Sequence, residues 1–142
     1  SKFMSLASHL AGKAINISKT TAPHAVSYPF SSLYKISHGH AVSLTFNKFL
    51  KFNFVNSKYS ISSFDLKSRY DIFFEIFKVD NIDDLIFKLD ILKKNASLED
   101  NYKKLGINID KNIDKFLRDI NMLRLKNNPI KLQKNDIKNI IL

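Results

Sequence analysis

Apolar positions recur at helical spacing through most of this chain, and the breaks between them divide it into a run of short helices. Over residues 2–15, Phe3, Leu6, Leu10 and Ile15 mark one face while Ala7, Ala11 and Ala14 allow close packing, which predicts a buried helix. No capping residue precedes it, as expected of a chain that begins inside a longer helix. Thr20 or Thr21 can cap a second helix carrying His24 and Tyr28, with Pro23 tolerated in its first turn. Pro29 then predicts an interruption, because its ring removes a helical N–H and crowds the carbonyl four residues back. Ser37 is placed to cap a third helix from His38. That helix is apolar nearly all round through Val42, Leu44, Phe46, Phe49, Leu50 and Phe52, as suits a central position in a bundle.

Residues 53–62 read as a loop, after which Ser62 or Ser63 can cap a helix whose apolar face is Leu66, Tyr70, Phe73, Phe74 and Phe77. The next helix, over VDNIDDLIFKLDILKKN, has acids in its first turn and Lys93 and Lys94 in its last, matching the helix dipole at both ends. LEDNYKKLGI predicts a short helix stopped by Gly106, and Asp110 opens another with the stripe Ile113, Phe116, Leu117 and Ile120. Asn127, Asn128 and Pro129 form a turn, since the residue before a proline is pushed out of the helical region. Lys134 or Asn135 starts a last short helix whose apolar end should dock. The pattern amounts to an all-α fold of about six to eight helices.

Composition agrees with one compact helical domain. The 142 residues are 44% hydrophobic with twelve Phe, enough for a real core, and three Gly and three Pro are too few for a many-turned β architecture. There is no cysteine, hence no disulfide, thiolate ligand or Cys nucleophile. No apolar run reaches the roughly 20 residues of a membrane span, so no membrane partner and a cytoplasmic location are the expectation. The net charge of +10 invites a nucleic-acid reading, but only Arg69, Arg118 and Arg124 among the basic residues are arginine, the side chain suited to bidentate phosphate and base contacts. No nucleic acid is therefore expected, and the lysine excess is compositional. Its distribution tells more: residues 1–64 hold seven Lys and no Asp or Glu, so the half bearing the histidines is wholly cationic and suits an anionic cofactor or substrate.

Candidate chemistry lies between Thr20 and Asn47, where three of the four histidines fall with no carboxylate nearby. His24 and His38 are fourteen residues apart, about 21 Å along a continuous helix, so they can meet only if the chain doubles back. In the first turn of a helix His38 would be held neutral by the dipole, as a metal ligand must be, and Gly39 would let a cofactor or helix approach the backbone beside it. Tyr28 shares a face with His24 and could hydrogen-bond a substrate or simply a backbone group. His40 points elsewhere on its helix. Two imidazoles without a carboxylate are half a site, and they read equally as polar residues at helix ends.

LAGKAIN at 10–16, PHAVSYPF at 23–30, ISHGHAVSL at 36–44 and the closing LRLKNNPIKLQKNDIKNIIL at 123–142 resemble the C-terminal helical domain of the iron-containing alcohol dehydrogenase family. The resemblance implies a helical bundle of the kind shared with dehydroquinate synthase. It also implies that His24 and His38 are ligands of a divalent metal, iron or zinc, with an aspartate and a further histidine supplied by an earlier segment. NAD(P) would bind mainly to an N-terminal nucleotide-binding domain that precedes these residues, making 1–142 a C-terminal metal-binding domain. In the family's alcohol-reducing members a histidine stands four residues after the first ligand, where this chain has Tyr28, a candidate catalytic residue in its place. The implied reaction is hydride transfer between NAD(P) and a small alcohol or aldehyde, and AGKAINISKTTAPHAVSY looks closest to members acting on phosphonoacetaldehyde. A homo-oligomer is allowed, and this stretch alone would be inactive. Two rival readings are a dehydroquinate synthase-like domain, against which the Asn-Pro tail argues, and a non-catalytic basic helical binding module.

Overall fold

The computed structural model describes residues 22–142. The helix expected over 2–15, with His9, and the caps expected at Thr20 or Thr21 lie outside them. All regular structure among the described residues is helical. It comprises α1 (Ala22–Tyr34), α2 (His38–Val55), α3 (Leu66–Phe77), α4 (Ile82–Asn95), α5 (Ile113–Arg118), α6 (Met122–Leu125) and α7 (Lys134–Ile141), with single 3-10 turns at Ser57–Tyr59 and Asp110–Asn112.

The long helix α2 is the spine, in contact with α1, α3, α4 and α7. It separates two apolar clusters. One, on the side of α1, joins Val26, Phe30, Leu44 and Phe49 to Phe116 and Ile137, with Phe30 and Phe116 edge to face at 5.0 Å. The other joins Leu50 to Leu66, Tyr70, Phe73, Phe77 and Leu85. The face expected of α3 is the buried one, except that Phe74 is only partly covered, and at the end of α7 Ile141 docks while Leu142 stays exposed. Tyr70, almost wholly buried, donates its hydroxyl to the Leu50 carbonyl at 2.7 Å, and burial raises its pKa well above the usual phenolic value.

Pro29 does not break α1, which runs on to Tyr34. The carbonyl that its missing N–H leaves unpaired is that of Ala25, and Ala25 accepts instead from the backbone N–H of Asn121, 3.2 Å away. The reversal comes later, at Lys35 with a left-handed φ of 56°. The helix expected from Asp110 is broken for the same reason: the backbone of Asn121 is committed to α1, and its side chain caps α6 by accepting from the Arg124 N–H at 3.1 Å. Residues 102–106 make one turn closed by Gly106 at φ 71°, where a short helix stopped by that glycine is expected.

Asp65, rather than Ser62 or Ser63, caps α3, accepting from the Lys67 N–H at 3.1 Å and the Ser68 hydroxyl at 2.6 Å. These hydrogen bonds, that of Ser68 first, hold its carboxyl below the ordinary value of 3.8. A lowered folded pKa means stability that is fully present above that ordinary value and lost as pH falls through the folded one. In Asp65→Asn, which keeps an acceptor at the cap, the fall of stability on the acid side is expected to be shallower by urea unfolding at a series of pH values, with little change at neutral pH.

Candidate metal centre

Helices α1 and α2 are joined by three residues and fold back on one another, and this hairpin brings the two histidines together. His38 opens α2 behind Ser37, whose extended backbone (φ −60°, ψ 150°) makes it the N-cap, although its side chain bonds no helical N–H. His24 sits in the first turn of α1. Their ring centroids are 5.8 Å apart with the planes tilted by 47°. Two imidazoles holding one ion at about 2.0–2.1 Å put their centroids roughly 5 Å apart, a separation close to the one between these rings. The pair lies at the surface, with His24 half-buried and His38 exposed. Beneath it the packing is tight: Ala25, Val26 and Ser27 are fully buried.

Ser27 contacts both histidines. Its hydroxyl donates to the His24 carbonyl at 2.5 Å and lies 3.3 Å from His38 Nδ1. Sequence reasoning passed over this residue. The signal was there in its spacing, since Ser27 follows His24 by three and so shares its face, a lone hydroxyl among Ala22, Ala25, Val26 and Phe30.

Tyr28 is 41% exposed on α1, one turn beyond His24 and open to whatever occupies the surface beside the histidines. Gly39 has nothing within 4 Å of where a Cβ would stand, so no helix among the described residues makes the expected approach and the space beside His38 is open. His40 turns away and donates Nε2–H to the Glu99 carbonyl at 2.6 Å, tying the loop after α4 to α2. Among the described residues no group of three or more His, Cys, Asp or Glu side chains is placed to hold a metal. The carboxylate that reaches α1, Asp119, bonds Ser32, about 12 Å along the helix from His24.

A cleft of about 490 Å³ opens elsewhere, between α2, α4 and α7, lined by Asn47, Lys48, Asp90, Lys93 and Asp100. Its lysines have structural partners. Lys48 binds the Ile141 carbonyl at 3.1 Å and the Tyr102 hydroxyl at 3.3 Å, closing the C-terminal end of α7, and burial, then Lys93, lowers its pKa. Lys93 lies 3.7 Å from Asp90 and 3.6 Å from Asp100.

Residues 2–142 match the model of the Fe-containing alcohol dehydrogenase family, C-terminal. The chain belongs to the iron-containing alcohol dehydrogenase family. It is also similar to the phosphonoacetaldehyde reductase of Streptomyces viridochromogenes, with 38% identity over 47 residues. That stretch is 33% of this chain and 12% of the Streptomyces protein, so the chain matches only a small part of that relative's length. No solved structure matches significantly. The all-helical architecture is the one expected of the C-terminal part of the family, and no described helix is long and apolar enough to cross a membrane.

Proposed function

We propose that residues 1–142 form the C-terminal, metal-binding domain of an oxidoreductase that moves a hydride between a nicotinamide nucleotide and a small alcohol or aldehyde. The observation that carries the reading is the convergence of His24 and His38, from successive helices, on one open face at a separation that suits a shared ion. A divalent ion bound there, iron or zinc, would polarise the substrate oxygen and lower the pKa of an alcohol. The chain supplies two nitrogen donors and a rigid, dry floor beneath them in Ala25, Val26 and Ser27. It supplies no carboxylate among the described residues at that face, so the remaining donors and the nucleotide site belong to another segment. Tyr28, on the same side of α1 as His24, can offer its hydroxyl to the substrate oxygen.

The substrate class is a short aldehyde, with an anionic group favoured by the lysine-only charge of residues 1–64. The similarity to a phosphonoacetaldehyde reductase points the same way. The test is metal-dependent oxidation of nicotinamide nucleotide by phosphonoacetaldehyde, against acetaldehyde, in a polypeptide that joins this chain to a nucleotide-binding domain. Tyr28→Phe in that enzyme is expected to keep its metal and lose about tenfold in kcat, the worth of one partly exposed hydrogen bond. Turnover that survives removal of all divalent metal would defeat the reading.

A further inference from the structure

We propose that Ser27 is a positioning residue for the metal centre, fixing His38 in the tautomer whose Nε2 lone pair is free to bind, a proposal that rests on reading His24 and His38 as ligands. The argument is a count of protons. The Ser27 hydroxyl has one, and two groups contact its oxygen: the His24 carbonyl at 2.5 Å and His38 Nδ1 at 3.3 Å. A carbonyl can only accept. Two oxygens at 2.5 Å with no proton between them repel strongly, whereas an O···N contact at 3.3 Å is satisfied by a proton on either atom. The shorter contact therefore decides where the hydroxyl proton goes. Ser27 is fully buried, so no water competes for that proton, and its oxygen faces the ring with a lone pair. A hydrogen on Nδ1 is what fills it best. A neutral imidazole has one N–H, and placing it on Nδ1 leaves Nε2 as the donor atom.

One hydroxyl thus links the backbone of the first ligand to the ring of the second. Because His38 itself is exposed, its ring would otherwise turn freely and take either tautomer from water. Outer partners of ligating imidazoles are typically worth 10–100-fold in metal affinity, and the length of this contact puts Ser27 at the lower end, about tenfold.

The experiment uses the 142-residue chain with 15N-labelled histidine, free of metal, at a pH where the imidazoles are neutral. Long-range 1H–15N correlation is expected to show His38 with its proton on Nδ1. In Ser27→Ala the Nε2–H form should prevail, as in an unrestrained imidazole, and Ser27→Thr, which keeps the hydroxyl, should restore the Nδ1–H form. Cobalt(II) titration followed by absorbance should show affinity about tenfold weaker in Ser27→Ala and recovered in Ser27→Thr. A wild-type His38 protonated on Nε2 would overturn the proposal while leaving the ligand reading intact, and that measurement needs no variant to fold. Cobalt binding indifferent to both His24→Ala and His38→Ala would remove the ligand reading, and the proposal with it, whatever the tautomer.

Discussion

His24→Ala and His38→Ala, each made in the complete enzyme, will retain almost no iron or zinc and almost no activity, while His40→Ala and His9→Ala keep both near wild type. The expectation follows from donor chemistry. The complete site would draw four protein donors, and replacing one of its imidazoles by alanine removes a strong nitrogen donor and leaves water to fill a place shaped for a ring, which loosens the hold on the ion. On the proposed reading each histidine is half of what the described residues offer, so losing either is far worse than losing half the affinity. His40 has a different task, since its Nε2–H is spent on the Glu99 carbonyl. The same logic predicts that the 142-residue chain alone binds divalent metal weakly, with water completing the shell. Elemental analysis of the purified variants is the measurement, and full metal retention in the His24→Ala, His38→Ala double variant would refute the assignment.

The largest expected change in stability lies far from the histidines, at two buried asparagines. Asn53 near the end of α2 and Asn128 in the turn before Pro129 exchange reciprocal amide hydrogen bonds of 3.0 Å, and Asn128 also donates to the Ile130 carbonyl at 2.8 Å. Both side chains are almost entirely removed from water. In Asn128→Ala the Asn53 amide is left buried with its partner gone, and the loss of these bonds with that desolvation amounts to about 3 kcal/mol. Asn53→Ala should cost a similar amount for the mirror reason. The double variant should then cost clearly less than the sum, because no stranded amide remains. Urea unfolding of the three variants, followed by circular dichroism, tests this, and additive losses would show that the pair does not act as a unit.

How much of this was legible in the sequence depends on the range over which each feature is decided. The start of α2 at His38, the opposed charges at the ends of α4, the turn at Asn127–Pro129 and the last helix from Lys134 are set by residues within a turn of the feature, and the structure has them where the pattern puts them. The meeting of His24 and His38 also follows from local rules, since two helices joined by a short link must pack antiparallel. The reversal comes in the three residues after Tyr34 and not at Pro29. Pro29 was expected to bend the chain, and it does not, because the orphaned Ala25 carbonyl finds a donor in Asn121 that no local window contains. Asp65 displaced Ser62 and Ser63 as a cap because Ser60 and Ser62 bond one another at 2.6 Å and Ser62 also bonds Phe64. Ser27 escaped notice because its importance exists only once α1 and α2 are packed, when one small hydroxyl finds itself between a carbonyl and a ring.

The bond from Asn121 to Ala25 carries a consequence for the order in which the molecule assembles. Helices α1 and α2 are neighbours in sequence, so the loop that must close to pair them is short and their hairpin can form early. The gap that Pro29 leaves in α1 is filled only when the last third of the chain arrives, a closure across most of the described residues and so a late one. The two histidines are thus brought together by a fast, local event and locked by a slow, distant one. A nascent chain that has not yet delivered Asn121 would hold His24 on a helix still free to bend at Pro29, and the final spacing of the two histidines would be among the last things folding completes.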